Sequence, residues 1–305
     1  MEGAKENRAM RRFFIKLLIF TAIIVGIDVG YGLYCDHIRR GVQSGMTRLD
    51  NIAAYETRAD VLVFGSSRAR RHYDTRILRD SLGMSCFNCG YNSMGIGFFK
   101  FRLKQILDRY TPKLIIYDIT PMYDLMVSDA RKVNNLRMKP YFFDDTAYAM
   151  VRRNDFKEWI KYHSATYRYH DAIKDYKADS RSKETFYDGY APLNGTQKIE
   201  VKRHAGMTPD PAKARLLEEL MSVCLQRGVK LVFVLSPYYC NDMADPADDL
   251  RKLSARYGVP VIDHFCDSRF ISDSTLYWDA AHMNSEGAAR FTRCIISEIK
   301  ASVRL

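Results

Sequence analysis

The sequence predicts an α/β protein, a three-layer α/β/α sandwich around a five-stranded parallel sheet. Five short apolar runs each end at a turn or a polar residue, as buried parallel strands do. Helical patterns separate these runs, and such an alternation is typical of a parallel sheet with helices on both faces. The apolar runs are residues 60–64, 86–87, 113–119, 229–235 and 259–262, and the helical patterns are 98–110, 211–226, 246–257 and a last one beginning near Ser285.

Length and composition agree with one main domain that buries a sizeable core. The chain has 305 residues, of which 47% are hydrophobic and 27% charged, and this excludes an intrinsically disordered chain. The 47 Lys and Arg residues outnumber the 36 Asp and Glu residues, so the net charge of +11 favours a polyanionic partner such as nucleic acid, anionic lipid or an acidic polymer. The 7 cysteines show no repeated spacing and do not describe a small disulfide-stapled domain.

The most apolar stretch, residues 13–34, predicts a transmembrane helix, because about 20 helical residues span a bilayer core. Basic residues flank it on both sides, with a modest excess before it that favours a cytoplasmic N-terminus. The residues before Cys35 match neither a cleavage site nor a lipobox well, so an uncleaved signal anchor is predicted. A cleaved signal peptide and a buried core helix are the alternatives. Asp28 lies inside the stretch, where a charge costs roughly 2.5–3.5 kcal/mol.

This anchor determines the predicted organisation of the chain. A cytoplasmic tail (1–12), the anchor (13–34) and a linker (35–56) precede the α/β domain (57–305). The domain is then expected on the periplasmic or exterior side of the inner, cytoplasmic membrane. Nucleic acid is not expected there, and envelope polymers or lipid headgroups become the candidate partners of the basic charge.

An insertion is predicted at about 122–208, because the interval between the third strand and the next helix is far longer than a crossover needs. Aromatic and basic residues cluster in it between positions 162 and 170. Tyr167, Arg168 and Tyr169 are therefore candidate substrate-binding residues, in a cap that stacks on saccharides or binds polyanions. The alternative is a surface helical pair whose Tyr and Arg stems cover apolar area.

Two segments at predicted strand ends carry candidate catalytic residues. Ser67 follows the turn Gly65-Ser66 at the start of a helix, where its hydroxyl would lie beside free backbone N–H groups, which suits an acyl nucleophile. Asp279 precedes His282 by three residues on a loop entering a helix, so the carboxylate can hold one imidazole nitrogen while the other faces the serine. Taken alone, Ser67 also fits a helix N-cap, and Asp279 and His282 also fit a capping aspartate and a surface histidine.

Together these segments resemble the SGNH, or GDSL-type, hydrolase superfamily, whose fold is flavodoxin-like. The first family block, Gly-Asp-Ser, resembles residues 65–67. The last block, Asp-x-x-His followed by Asn, resembles Asp279, His282 and Asn284. The second block, Asn-Leu-Gly-x-x-Gly, resembles residues 88–93. The order and spacing of the blocks make the resemblance more specific than any one motif.

The resemblance implies a serine hydrolase that needs no metal and no cofactor. Ser67 would be the nucleophile, His282 the general base, and Asp279 the residue that orients the imidazole. The oxyanion would be held by backbone N–H groups of Ser67, Ser93 and Gly90, with Ser93 in the position of the second glycine of the block.

One family block is missing. The third block, Gly-x-Asn-Asp, should follow the third strand, where this chain has Met122 in place of the asparagine that donates a side-chain hydrogen bond to the oxyanion. Loss of one such donor costs about 2.7–4 kcal/mol of transition-state stabilisation. Asn134, Asn135 or Tyr123 are the residues that could replace it.

An anchored form without the third block resembles the branch of the superfamily that includes the teichoic-acid D-alanyl transfer protein and polysaccharide O-acetylation factors. The resemblance implies a membrane-anchored serine esterase or O-acyltransferase that acts on an acyl ester of a cell-envelope polysaccharide. Its expected partners are that polysaccharide, or another acylated envelope substrate, and a membrane-bound O-acyltransferase. The alternatives are a lipase or phospholipase at the membrane surface and a non-catalytic glycan-binding scaffold subunit, which the missing asparagine would favour.

Overall fold

The chain folds into two compact units. The helical unit comprises Met1–Thr47 and Lys139–Ser182, and the sheet unit comprises Arg48–Met138 and Lys183–Leu305. The computed structural model describes residues 2–128, 137–197, 199, 208–239 and 247–303.

Helices and strands of the described residues are numbered here in chain order. The strands are β1 (Val61–Gly65), β2 (Cys86–Asn88), β3 (Leu114–Asp118), β4 (Lys230–Leu235) and β5 (Val261–Asp263). The α-helices are α1 (Glu2–Gly41), α2 (Gly45–Asn51), α3 (Ser67–His72), α4 (Thr75–Leu82), α5 (Ile96–Leu107), α6 (Pro121–Asp124), α7 (Asp145–Asn154), α8 (Phe156–Lys161), α9 (Ala165–Tyr169), α10 (Ala172–Asp179), α11 (Pro211–Gln226), α12 (Ala247–Ala255), α13 (Ser268–Ile271) and α14 (Ser285–Val303). Short turns of other helix types are Ile52–Glu56, Lys139–Tyr141 and Ser274–Leu276.

The five strands form one parallel sheet in the order β2-β1-β3-β4-β5, which confirms the predicted fold class. The strands are buried almost throughout, which is why they read as continuous apolar runs. Winding proceeds from β1 to β2 on one side and from β3 to β5 on the other. The carboxyl ends of β1 and β3 therefore border the switch point at which open parallel sheets place their sites.

Helices cover both faces of the sheet, because successive strand residues point in opposite directions. On one face, Val63 belongs to a core cluster that also contains Phe291 of α14. On the other face, Phe64 and Tyr117 pack against Phe99 of α5, with ring centroids 5.2 and 5.4 Å apart. This is the predicted three-layer sandwich.

The predicted insertion is divided between the two units. Residues 139–182 carry α7 to α10 and belong to the helical unit, whereas the following segment belongs to the sheet unit. There a turn at Asp188 lies against β2, where the Asn88 N–H donates to the Asp188 carbonyl at 2.8 Å. Residues 35–56, predicted as a linker, are helical over most of their length.

Helix α1 is long and apolar enough to cross a membrane, as the sequence predicts. Its candidate span lies within Asn7–Gly41, with a mean hydropathy of 2.2 over 18 residues. None of that window is buried inside the protein. Length and composition thus agree with a bilayer span.

Strand β1 ends at Gly65, where the backbone leaves no room for a side chain. Its φ is +133°, in the region that favours glycine. A Cβ there would lie 2.5 Å from the Asp118 carbonyl oxygen and 2.9 Å from the Ala69 Cβ. The close approach of β1, β3 and α3 at this point therefore requires glycine.

We expect Gly65→Ala to destabilise the protein clearly more than Gly83→Ala. Gly83 also has a positive φ of 65°, but nothing lies within 4 Å of a Cβ built there, so its substitution should cost only the backbone strain of about 1–2 kcal/mol. Thermal unfolding of the full-length protein in detergent measures both variants. Equal shifts in the two melting temperatures would show that the contacts around Gly65 relax without cost.

Candidate active site

The structure brings Ser67, His282 and Asp279 into one hydrogen-bonded chain. The Ser67 Oγ lies 2.7 Å from the His282 Nε2. The His282 Nδ1 lies 2.9 and 3.0 Å from the two carboxylate oxygens of Asp279. With Nδ1 donating to the carboxylate, Nε2 is free to accept the serine proton. This is the arrangement of a serine nucleophile, its general base and the residue that orients the base.

The two serines after Gly65 have different roles. Ser66 is the N-cap of α3 and its Oγ accepts from the Arg68 N–H, while the same hydroxyl lies 2.7 Å from the Thr120 Oγ1. Ser66 is buried, whereas Ser67 begins the helix and is partly exposed. The capping alternative thus applies to Ser66 and leaves Ser67 available for chemistry.

Asp279 organises the loop that carries His282. Its Oδ1 accepts from the N–H groups of Ala281 and His282, both at 2.8 Å. Partial burial by itself raises the pKa of Asp279, but hydrogen bonds from the His282 ring and from these two N–H groups lower it below its usual value. The carboxylate is therefore ionised at neutral pH, as is required of a group that would stabilise an imidazolium at His282.

A buried histidine that no sequence motif singles out, His72, fixes the backbone beside His282. The Nε2 of His72 accepts from the Met283 N–H at 3.0 Å, so the ring proton must be on Nδ1, which lies 3.0 Å from the Ser236 Oγ. Complete burial, and then the nearby charge of Arg68, lower the pKa of His72 well below its usual value. A neutral His72 therefore holds the residue that follows His282, the candidate base.

Behind Ser67, Arg68 and Asp118 form a buried pair. The Arg68 Nε lies 4.0 Å from the Asp118 Oδ2, and a terminal guanidinium nitrogen donates to the Ser236 Oγ at 2.8 Å and to the Pro237 carbonyl at 3.1 Å. Asp118 also accepts from the Tyr73 hydroxyl at 2.9 Å. The network ties α3 to the ends of β3 and β4.

Two of the three backbone donors predicted for the oxyanion have free N–H groups. Among the described residues, the N–H groups of Ser67 and Ser93 have no hydrogen-bond partner. Ser93 has a φ of +61°, a conformation that favours glycine, which is the residue at this position of the block that residues 88–93 resemble. The third predicted donor, Gly90, does not fit the role, because its N–H already donates to the Asn88 Oδ1 at 2.9 Å. Glycine is required here for close packing instead, since a Cβ on Gly90 would lie 2.5 Å from the backbone nitrogen of Arg70.

Met122, in the position of the missing asparagine, lies in the short helix α6. Its carbonyl accepts from the Lys213 Nζ at 2.9 Å and from the Ser128 Oγ at 2.7 Å. Of the residues that could replace the asparagine, Asn134 and Asn135 lie outside the described residues. Tyr123 is described and follows Met122 in α6.

A segment that the sequence assigned to the insertion supports the catalytic loop from both sides. The Ser285 N–H donates to the Leu193 carbonyl at 2.7 Å, just after His282. The Gln197 N–H donates to the Trp278 carbonyl at 2.8 Å, just before Asp279. No local pattern in the sequence indicates these two contacts.

A second histidine, His264, has hydrogen-bond partners on both ring nitrogens. Its Nδ1 lies 2.7 Å from the Asp267 Oδ2 and its Nε2 lies 3.0 Å from the Glu298 Oε1, so neither nitrogen is free to activate a serine. His264, Cys294 and Glu298 are spaced closely enough to hold a metal ion. However, the Arg269 guanidinium lies 3.3 Å from the His264 Nδ1 and opposes a cation there.

The candidate substrate-binding residues of the insertion belong to the helical unit and are largely internal. Arg168 and Tyr169 are only 8% and 4% exposed. The Arg168 guanidinium donates to the Tyr162 carbonyl, and the Tyr167 hydroxyl donates to the Glu158 carboxylate at 2.9 Å. These contacts favour the alternative of a helical pair in which Tyr and Arg side chains cover apolar area.

No protein-family model and no curated protein matches this chain. Solved structures do match. LAE5, an alpha/beta hydrolase enzyme from the metagenome of Lake Arreo, Spain, is 12% identical, with a TM-score of 0.43 over 81% of this chain and 95% of LAE5. Axe2, an acetylxylan esterase from Geobacillus stearothermophilus, is 11% identical, with a TM-score of 0.39 over 80% and 94% of the two chains. The acetyl xylan esterase AlAXEase is 11% identical, with a TM-score of 0.39 over 80% and 99%. At these sequence identities and TM-scores, the assignment of the site rests on the contacts within this chain.

We expect a fluorophosphonate probe to label the full-length protein at Ser67, because His282 can accept the proton of its hydroxyl. Ser67→Ala should abolish the labelling, whereas Ser66→Ala, the matched control, should slow it without removing it. Gel fluorescence and mass spectrometry of the labelled peptide measure both. Labelling that survives in Ser67→Ala would contradict the assignment of the nucleophile.

Proposed function

We propose that this chain is a membrane-anchored serine esterase or O-acyltransferase of the SGNH type, acting on an acyl ester of a cell-envelope polysaccharide. The observation that carries the proposal is the hydrogen-bonded chain from Ser67 through His282 to Asp279. A scaffold subunit would not need these three side chains aligned, so the contacts favour an enzyme over a glycan-binding scaffold.

The geometry supports a two-step acyl transfer. His282 takes the proton as the Ser67 Oγ attacks the ester carbonyl, and the free N–H groups of Ser67 and Ser93 stabilise the oxyanion. The tetrahedral intermediate collapses to an acyl-serine, and the leaving alcohol receives the proton from His282. Water or a sugar hydroxyl then attacks the acyl-serine, with His282 again acting as the base. Water as the acceptor gives an esterase, and a sugar hydroxyl gives a transferase.

The choice of an envelope polysaccharide rests on the anchor and the charge. An N-terminal span with basic residues before it favours a sheet unit on the periplasmic or exterior side of the inner membrane. Acyl esters available there belong to glycans and lipids. A net charge of +11 suits an anionic polymer as acceptor, with a membrane-bound O-acyltransferase as the proposed source of the acyl group.

For the topology, we expect a C-terminal alkaline phosphatase fusion to be active and a C-terminal green fluorescent protein fusion exported by the same route to be dark. Alkaline phosphatase folds into its active form only outside the cytoplasm, whereas green fluorescent protein becomes fluorescent only inside it. Phosphatase activity and fluorescence in intact cells give the answer. The reverse pattern would place the sheet unit in the cytoplasm.

A substitution of Met122 tests whether the protein is a hydrolase or an acyltransferase. A hydrolase benefits from a further fixed donor to the oxyanion, whereas a transferase tolerates a weaker one because polymer binding positions the acceptor hydroxyl. We therefore expect slow hydrolysis of an activated acetyl ester by the wild type. Met122→Asn should raise kcat/KM toward the tenfold that corresponds to about 1.4 kcal/mol.

Steady-state hydrolysis of the same ester by both proteins, with Ser67→Ala as the background, measures this effect. Fast hydrolysis by the wild type that Met122→Asn leaves unchanged or slows would show that another residue already supplies the donor. Faster release of acetate from an acetylated glycan than of fatty acid from a phospholipid is the outcome that separates the proposal from a lipase.

A further inference from the structure

Within the helical unit, Asp28 of α1 caps another helix. Its carboxylate accepts from the Ser164 Oγ at 2.8 Å and from the N–H groups of Ala165 and Thr166 at 2.7 and 2.8 Å. These are the free donors at the N-terminus of α9. One turn along α1, Gly32 is so close to Ala165 that a Cβ on Gly32 would lie 2.7 Å from the Ala165 Cβ. The start of α9 is thus fixed at the level of Asp28.

From that point α9 and α10 run beside α1 toward its C-terminal end. Tyr169 and Tyr176 share a core cluster with Cys35 and Val42. At the end of α10, the Asp179 carboxylate accepts from the Thr47 N–H at 2.7 Å. Contacts thus advance together along both segments. Helix α8 ends three residues before Ser164, so its C-terminal end lies near the level of Asp28.

This register places the start of α9 within the predicted span of residues 13–34. Asp28 lies six residues before the end of that stretch, or about 9 Å along the helix axis. A helix that lies in the membrane interface is buried about 5–10 Å into the boundary between headgroups and acyl chains. With three hydrogen bonds to its carboxylate, Asp28 can occupy this depth without the full cost of an unpaired charge in lipid.

Helix α8 presents an apolar and basic surface at this level. Phe156 and Ile160, one turn apart, are 55% and 54% exposed, and Trp159 stacks on Phe156 with ring centroids 5.2 Å apart. Arg153 and Lys157 are exposed and have no ion-pair partner among the described residues. Exposed apolar side chains, a tryptophan and flanking basic residues are the composition of a segment lying in a membrane interface.

We propose that α8, through Phe156, Trp159 and Ile160, lies in the headgroup region of the bilayer that α1 crosses and binds an anionic lipid surface there. A lipid surface fits better than a protein partner, because α8 ends three residues before Ser164, which binds Asp28 within the predicted span. Side chains of α1 next to Asp28, such as Ile27, which is 67% exposed, would face lipid. The inference rests on the membrane anchoring in the proposed function and is independent of the ester chemistry.

Tryptophan fluorescence tests the depth of α8 directly. The chain has two tryptophans, so Trp278→Phe leaves Trp159 as the sole reporter. The full-length variant is reconstituted in bilayers that contain phosphatidylglycerol and phosphatidylcholine brominated at a shallow or a deep position of the acyl chain. We expect strong quenching of Trp159 by the shallow bromine and weaker quenching by the deep one. Trp159 emission equal to that in bromine-free bilayers would overturn the proposal.

A matched pair of variants tests the contribution of the surface. In the same background, Ile160→Asp should reduce the shallow quenching at least by half. The control Leu225→Asp changes a leucine that is 66% exposed in the sheet unit and should leave the quenching unchanged. Equal effects of the two substitutions would show that the quenching does not report lipid contact of α8.

Alkaline extraction of the membranes separates this inference from the anchoring on which it rests. Release of the protein by sodium carbonate would overturn the anchor and the inference together. Retention of the protein with unquenched Trp159 would overturn only the placement of α8. Fluorophosphonate labelling of Ser67 in the same samples reports the catalytic site independently of both results.

Discussion

The hydrogen bond between Ser67 and His282 joins side chains 215 positions apart in the sequence. The surrounding contacts of the sheet unit hold these two side chains together. A serine hydroxyl and an imidazole must stay within a few tenths of an ångström of 2.7 Å for proton transfer. Neither lies on a long regular element: Ser67 begins a short helix and His282 lies on a loop. The surrounding structure must therefore supply the rigidity.

On the serine side, rigidity comes from close packing. Gly65 lets β1 pass against the Asp118 carbonyl, and Ser66 caps the helix that presents the nucleophile. On the histidine side it comes from hydrogen bonds, because the loop is held internally by Asp279 and from behind by His72. Complete burial keeps His72 a neutral acceptor for the loop. Asp279 holds the loop as a carboxylate because hydrogen bonds lower its pKa in spite of its partial burial.

The helical unit is ordered by a different constraint, the depth of Asp28 in an apolar helix. A carboxylate within a membrane span is costly unless donors of the protein replace its water. The N-terminus of α9 supplies three such donors, and this cap fixes the start of α9 along α1. The same polar contact therefore explains why Asp28 is tolerated and which part of α1 lies near the end of α8.

The sequence by itself determined the parallel sheet and the long apolar helix. It also singled out Ser67, Asp279 and His282 as the candidate triad, and Met122 as the residue in place of the expected asparagine. These follow from local patterns: buried strands are continuous apolar runs, and the motif blocks keep their spacing. Only the tertiary structure decided that the Gly90 N–H is engaged, that His72 supports the catalytic loop and that Arg168 and Tyr169 are buried. Each of these depends on what a group meets from a distant part of the chain, and hydrogen-bond partners and burial leave no local pattern. The sequence determines which functional group a position carries. Whether that group is exposed and free of hydrogen-bond partners depends on residues that only the fold brings near it.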